Sequence, residues 1–308
     1  MKLTLLAGGT GGTKLAHGFA ILAERVELTV IANVGDDMEL HGLHVSPDVD
    51  ALLYTLGGLI DTERGWGVRG DTFTAHAMLE RFGAPAWFTV GDADLATHVE
   101  RTKRLRGGDR LTDVTGAMAA ALGIRARVLP ATDERHRTLI ETDEGVIDFQ
   151  DYFVRLGQRP EVRGVRFDGD ARASAEALEA IRDAELIVIG PSNPIVSIGP
   201  ILELPGMRDA LIAAGAPKLA VSPIIGGRAL KGPADRMLAS LGHESSSLGV
   251  ARLYAGLVDR FVLDTADAPL APAIGELGMA ADVLPSVMRT DADRAALAAG
   301  LLALAGAT

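Results

Sequence analysis

The sequence predicts an α/β fold, a doubly wound and mainly parallel sheet with an inserted, mainly helical subdomain. Three observations predict it. The chain opens with a strand, a glycine-rich turn, a helix and a second strand between Leu3 and Ala32. Short apolar runs return after residue 185, each followed by a loop and a helical pattern. Between these ends, residues 61–123 are helical in rhythm, punctuated by Gly and Asp, with little strand signal. Strands that alternate with helices pair in parallel and place the helices on the sheet faces.

Each element follows from its residues. Leu3–Ala7 is an apolar run stopped by glycines and reads as a buried strand. From about Thr13 to Ala23, Leu15, Phe19 and Leu22 recur at helical spacing, and Leu28–Ala32 reads as the second strand. Ser46 and Pro47 read as a helix N-cap and first helical residue, followed by Val49, Leu52, Leu53 and Leu56 on one face. Arg127–Pro130, Leu139–Thr142 and Val146–Phe149 read as short strands, the last two joined by Asp143-Glu144-Gly145. The segments "ELIVIG" (185–190), "KLAVS" (218–222) and "RFVLD" (260–264) restore the sheet, and an Ala- and Leu-rich helix spans about Asp291–Ala305. The expected core is therefore 1–60 with 180–308, and 61–179 is the insert. In such sheets ligands lie beyond the carboxyl ends of the strands.

Composition narrows the chemistry. The chain has 308 residues, 48% hydrophobic and 23% charged, an ordinary globular balance. A net charge of -11 disfavours a general nucleic-acid or membrane-surface binder, so phosphate handling would need local cations or a divalent ion. Cys is absent, which excludes disulfides, thiolate metal sites and cysteine nucleophiles. No run approaches the roughly 18 apolar residues of a membrane span, and "MKLTLLAGGTGG" does not read as a secretory signal. A cytoplasmic setting is expected.

Four groups of residues carry the candidate chemistry. "LAGGTGGTK" (6–14) is a strand-to-helix glycine turn that matches neither the dinucleotide fingerprint nor the P-loop. It keeps their physics: Gly9, Gly11 and Gly12 let backbone N–H groups approach an anion, with Thr10, Thr13 and Lys14 as further donors. Five carboxylates crowd residues 33–50, and three acidic pairs stand out: Asp36/Asp37, Asp48/Asp50 and Asp92/Asp94. Magnesium favours one or two carboxylates with water and phosphate oxygens, and the plainer reading of these pairs is helix N-termini and turns.

A third group is cationic: His98, Arg101 and Arg104 follow one another at helical spacing and can share an anion-gripping face, or simply a solvated one. Nearby, "DTERGWGVRGDTF" (61–73) packs Arg64, Trp66 and Arg69 among glycines; Trp66 and Trp87 read as packing anchors rather than ring-stacking platforms. Lastly, Ser192 and Asn193 project from the end of a central strand, and Ser222, Gly226, Gly227 and Lys231 from the next. Two such loops suit a base and its phosphates, and rigid turns account for either one alone.

Six segments in this order, "LAGGTGGTK", "NVGDD", "SPDVD", "GDADLATH", "GPSNPIVSIGPIL" and "SPIIGGRALKGPA", resemble the 2-phospho-L-lactate transferase family, which builds the deazaflavin coenzyme F(420). The resemblance runs from Leu6 to about Ser247 and includes "TLGGLIDTERGWG" and Asp148–Tyr152. It implies a Rossmann-like nucleotide-binding core, a homodimer and a magnesium-dependent reaction. The ribityl hydroxyl of the deazaflavin Fo would attack the phosphorus of a guanosine diphosphate ester of lactate or enolpyruvate, and GMP would leave. It implies a guanosine diphosphate moiety against Gly9–Gly12, Ser192, Asn193 and the 222–231 loop. Asp48 and Asp50 would hold Fo and the metal, one of them acting on the hydroxyl, with Asp92 and Asp94 as second candidates. Arg101 and Arg104 would stabilise the diphosphate. Relatives commonly read Gly-Asp-Arg-Asp where this chain has Ala93, so an Arg contact there is missing. The same scaffold also resembles regulators that bind nucleotide-sugars without turnover, which is the alternative; a kinase is disfavoured by the glycine order.

Overall fold

The structure, a computed structural model, describes residues 1–306. In chain order the strands are β1 (Lys2–Ala7), β2 (Glu27–Ala32), β3 (Met38–Leu40), β4 (Leu43–Val45), β5 (Arg127–Pro130), β6 (Arg137–Thr142) and β7 (Gly145–Asp148). They continue with β8 (Val162–Asp168), β9 (Leu186–Ile189), β10 (Lys218–Val221), β11 (Ile224–Ile225), β12 (Arg228–Ala229), β13 (Arg260–Leu263) and β14 (Ala280–Val283). The α-helices are α1 (Gly9–Ile21), α2 (Pro47–Leu56), α3 (Thr74–Arg81), α4 (Asp92–Arg106), α5 (Leu111–Ala121) and α6 (Ala175–Arg182). After these come α7 (Gly199–Leu202), α8 (Met207–Ala213), α9 (Ala234–Ser240), α10 (Ser247–Tyr254), α11 (Ala271–Gly275) and α12 (Asp291–Leu304).

Seven strands form one parallel sheet in the order β14-β13-β10-β9-β1-β2-β5. The order reverses between β1 and β9, so this is the doubly wound architecture, with its crevice at that point. Alternation along β1 sends Leu3, Leu5 and Ala7 to a core shared with α1, α2 and α12, and Leu6 to a second core shared with α7, α8 and α10. Near-continuous Leu, Ile and Val in β1, β2 and β9 is what burial on both faces requires. α1 lies against α12 so closely that a Cβ on Gly18 would sit 2.3 Å from the Arg294 carbonyl oxygen. Lys14 Nζ donates to the Met288 carbonyl at 2.9 Å just before α12.

The segment 61–179 contributes α3, α4 and α5, and also a separate antiparallel sheet in the order β7-β6-β8. It also supplies β5, which pairs with β2 at the edge of the central sheet. Neither β8 nor β14 was expected; arginines interrupt the one, and alanines dominate the other. The β3–β4 hairpin inside the acidic stretch was also unexpected. Ser46 does not cap α2 with its side chain; its hydroxyl donates to Asp37 Oδ1 at 2.7 Å. Among the described residues, no helix is long and apolar enough to cross a membrane.

Candidate active site

The loops after β1 and β9 meet across the crevice where the strand order reverses. A Cβ on Gly11 would lie 2.0 Å from the Pro191 carbonyl oxygen, and one on Gly12 would lie 2.6 Å from Ser192 Oγ. The glycines are there for close approach between the two loops. The Gly8 N–H donates to Ser192 Oγ at 3.3 Å, and Ser192 is buried. Thr13 Oγ1 donates to the Gly9 carbonyl at 2.9 Å. The N–H groups of the first turn of α1, including Thr10, Gly11 and Gly12, point with the positive end of the helix dipole toward the crevice.

A carboxylate already stands at that helix terminus. Asp48 Oδ1 accepts from the Gly9 N–H at 2.7 Å, and Oδ2 accepts from Asn33 Nδ2 at 2.9 Å. The same amide donates to Asp36 Oδ1 at 3.1 Å, and Asn33 is fixed by the Gly35 N–H at 2.8 Å from its Oδ1. Asp36 and Asp48 are both buried. Burial pushes the Asp48 carboxyl up to about 6, against the opposing hydrogen bonds from Asn33 and Gly9. Burial and then the charge of Asp48 raise Asp36 well above the usual carboxylate range. Among the described residues neither acid pairs with a Lys or Arg, so two buried carboxyls share one amide and nothing offsets their mutual repulsion.

Asp50 faces a different network. Both of its oxygens accept from Arg101, Nη1 at 3.1 Å and Nη2 closer, and Arg101 is fully buried. His98 lies between the acids, Nδ1 at 3.7 Å from Asp50 Oδ2 and Nε2 at 3.4 Å from Asp94 Oδ1. The Tyr54 hydroxyl donates to Asp94 Oδ1 at 2.7 Å, and burial followed by the Asp50 and Asp94 charges raises the Tyr54 pKa, which keeps that proton in place. Ligand atoms of Asp50, Asp94 and His98 lie within 4.8 Å of one another. The Arg101 guanidinium already balances Asp50 in this trio, while both ring nitrogens of His98 are buried without a hydrogen-bond partner.

Several expected roles are therefore corrected. Asp48 and Asp50, expected together, have different partners here, Asp50 being bound to Arg101. Arg101 cannot grip a diphosphate from the interior, and Arg104 pairs instead with Asp109 at 2.7 Å. Asp92 accepts from Thr72 Oγ1 (2.6 Å) and the Thr74 and Ala75 N–H groups (3.1 and 2.9 Å), holding the start of α3 and lying away from Asp94. Asn193 closes a turn, accepting from the Ile195 N–H at 2.9 Å. The buried Ser222 hydroxyl donates to the Ile224 carbonyl at 2.9 Å, and the Gly226 N–H donates to Asp267 at 3.0 Å, so this loop is internally fixed. Gly227 stays within that loop, at positive φ. Lys231 reaches the crevice side: its charge, after burial and Arg294, lowers the pKa of Lys14.

Sequence reasoning missed Asn33, whose position at the end of β2 was its signal, and Asp71, which accepts from the Ala93 and Asp94 N–H groups at 2.8 and 3.1 Å to fix the start of α4. Trp66 is not a packing anchor, being 43% exposed. A groove of about 1100 Å³ lies on the other side of residues 194–199, bordered by His136, Phe167, Arg208 and Tyr254.

A family model described as 2-phospho-L-lactate transferase CofD matches residues 3–276. A phosphoenolpyruvate transferase from Streptomyces griseus is 42% identical over 99% of this chain and 98% of its own. A 2-phospho-L-lactate transferase from Methanosarcina mazei is 40% identical over 93% of this chain and 94% of its own. A solved structure of a upf0052 family member from Bacillus halodurans superposes with a TM-score of 0.63 at 18% identity, over 98% of each chain.

Proposed function

The chain belongs to the 2-phospho-L-lactate transferase family, and from that membership we propose that it transfers a phospho-organic-acid group to the deazaflavin Fo. The donor is a guanosine diphosphate ester of lactate or enolpyruvate, since relatives of both names match at about equal identity. The ribityl hydroxyl oxygen bonds to the phosphorus that carries the acid, the phosphorus–oxygen bond to GMP breaks, and the hydroxyl proton is taken up by the protein. A cytoplasmic homodimer belongs to the same proposal.

One observation carries the reading: a buried Asp48 held at the N-terminus of α1, inside the crevice of a doubly wound sheet. A buried carboxyl whose pKa is pushed up to about 6 without a cation gains by pairing with one. Asn33 and the Gly9 N–H orient it, and Asp36 is its partner on the same amide. Phosphoryl transfer asks mainly for positioning and charge neutralisation. With the Gly9 N–H taken by Asp48, the N–H groups of Thr10, Gly11 and Gly12 would receive the diphosphate, with Lys14 and Lys231 as nearby positive charges. Asp36 and Asp48 would hold magnesium, which supplies neutralisation of the diphosphate when bound. Arg101 acts behind them by fixing Asp50.

The test is a mass spectrum of the product after incubation with Fo, magnesium and each guanylylated acid in turn. The expected product is Fo joined to one phospho-acid, with an equal amount of GMP. No product from any donor would overturn the assignment and favour a binding protein that retains its ligand.

A further inference from the structure

The segment between α2 and α3 is a hairpin built to display an indole. Ile60 and Val68 pair across it, the Asp61 N–H donates to the Gly67 carbonyl at 3.0 Å, and the Arg69 N–H donates to the Leu59 carbonyl at 2.7 Å. The Asp61 carboxylate accepts from the N–H groups of Glu63 and Arg64, both at 2.9 Å, and from Arg64 Nε at 2.8 Å. Arg64 is thereby pinned with its guanidinium carbon 5.4 Å from the Trp66 ring centroid and 4.9 Å from that of Phe73. Phe73 meets the indole at 66°, centroids 6.5 Å apart. Trp66 thus has a fixed tilt and one cationic neighbour, yet 43% of it is open to solvent.

The hairpin lies against Lys231 of the 222–231 loop. A Cβ on Gly65 would come 2.8 Å from Lys231 Nζ, and the charge of Lys231 reaches Lys14 in the glycine-loop helix. At its other end the hairpin runs into Asp71, which holds the first turn of α4 beside Asp94. The hairpin that carries the indole therefore touches Lys231 at Gly65 and leads through Asp71 to the first turn of α4. A rigid, exposed aromatic ring in such a place loses little entropy when a second ring lies on it.

We propose that Trp66 is a stacking platform for a planar heteroaromatic ring of the substrates. The inference rests on the proposed function, in which two such rings arrive, the deazaflavin of Fo and the guanine of the donor. The chemistry is shared, and separate titrations tell the sources apart. Calorimetry of Fo alone and of GMP alone is run on the parental chain, Trp66→Ala and Trp66→Phe, with thermal melts to confirm folding. The expected result is a loss of affinity for one ligand of about five- to a hundredfold in Trp66→Ala, largely restored in Trp66→Phe. The KM for the matching substrate rises in step while kcat holds. Parental affinity of Trp66→Ala for both ligands overturns the stacking and leaves the proposed reaction intact. A parental chain that yields no product strikes the reaction instead, and the two titrations still decide the stacking; binding of neither ligand overturns both.

Discussion

Arg101 and Asp50 are joined by two hydrogen bonds inside the protein, the guanidinium fork of one meeting both oxygens of the other. Arg101 has no exposed surface, and His98 and the His44 carbonyl complete its surroundings. Its interest is mechanical: it ties α4 of the insert to α2 of the core. Removing one partner of a buried pair strands the other charge at a cost of about 3–5 kcal/mol. Arg101→Ala should lower the urea midpoint accordingly, and Asp50→Ala combined with it should cost less than the two singly. A parental midpoint for Arg101→Ala would show that the pair does not hold the two parts together.

Asp48 gives the metal-free protein a pH dependence of definite sign. Its folded pKa is about 6 against an ordinary 3.8. Between these values the folded state binds more proton than the unfolded, so stability falls by about 2 kcal/mol as pH rises from 4 to 6, and by about 3 kcal/mol in all once pH passes 7. Below pH 4 the penalty is absent. Asp48→Asn should flatten this slope when unfolding is followed in chelator across that range. An unchanged slope would place the shifted group elsewhere.

Magnesium should stabilise the parental chain by relieving the same two acids. Above pH 6, millimolar magnesium is expected to raise Tm, since a ligand bound only by the folded state shifts unfolding by mass action. The increment should disappear in Asp36→Asn and in Asp48→Asn but persist in Asp92→Ala, whose carboxylate holds a helix start elsewhere. A response that survives both asparagine variants would remove these acids from the cation site.

Gly11→Ala tests the contact between the two loops. The new methyl carbon would meet a backbone carbonyl rather than a flexible side chain, so one loop must move. Overpacking of this kind costs about 1–3 kcal/mol. GMP affinity measured by calorimetry should fall together with stability. A variant with parental stability and affinity would mean that the loops yield freely.

The central sheet was legible because its strands are buried on both faces and carry near-continuous Leu, Ile and Val, as in β1 and β9. β8 was hidden because Arg163 and Arg166 break its apolar rhythm, and its pairing with β6 joins residues far apart in sequence. In the site, the glycine loop and Asp48 could be read from local pattern. The fate of Asp50 could not: its spacing from Asp48 says nothing about an arginine fifty-one residues away. His98 and Arg101 read as a basic face that grips an anion or is solvated, for the same reason, since only the packing of α4 reveals that this face turns inward. Asp36 read as one of an acidic pair or a turn residue, because Asn33, three residues before it, gains meaning only through the amide that Asp36 shares with Asp48.

The close seating of α1 on α12 has a consequence for how the molecule is made. The helix that follows the glycine loop rests on a backbone carbonyl of Arg294, and its lysine on that of Met288, 274 residues further on. A nascent chain emerging from the ribosome therefore holds an unfinished crevice until α12 appears. Premature termination before α12 would leave every residue of the crevice in place but deprive it of its floor.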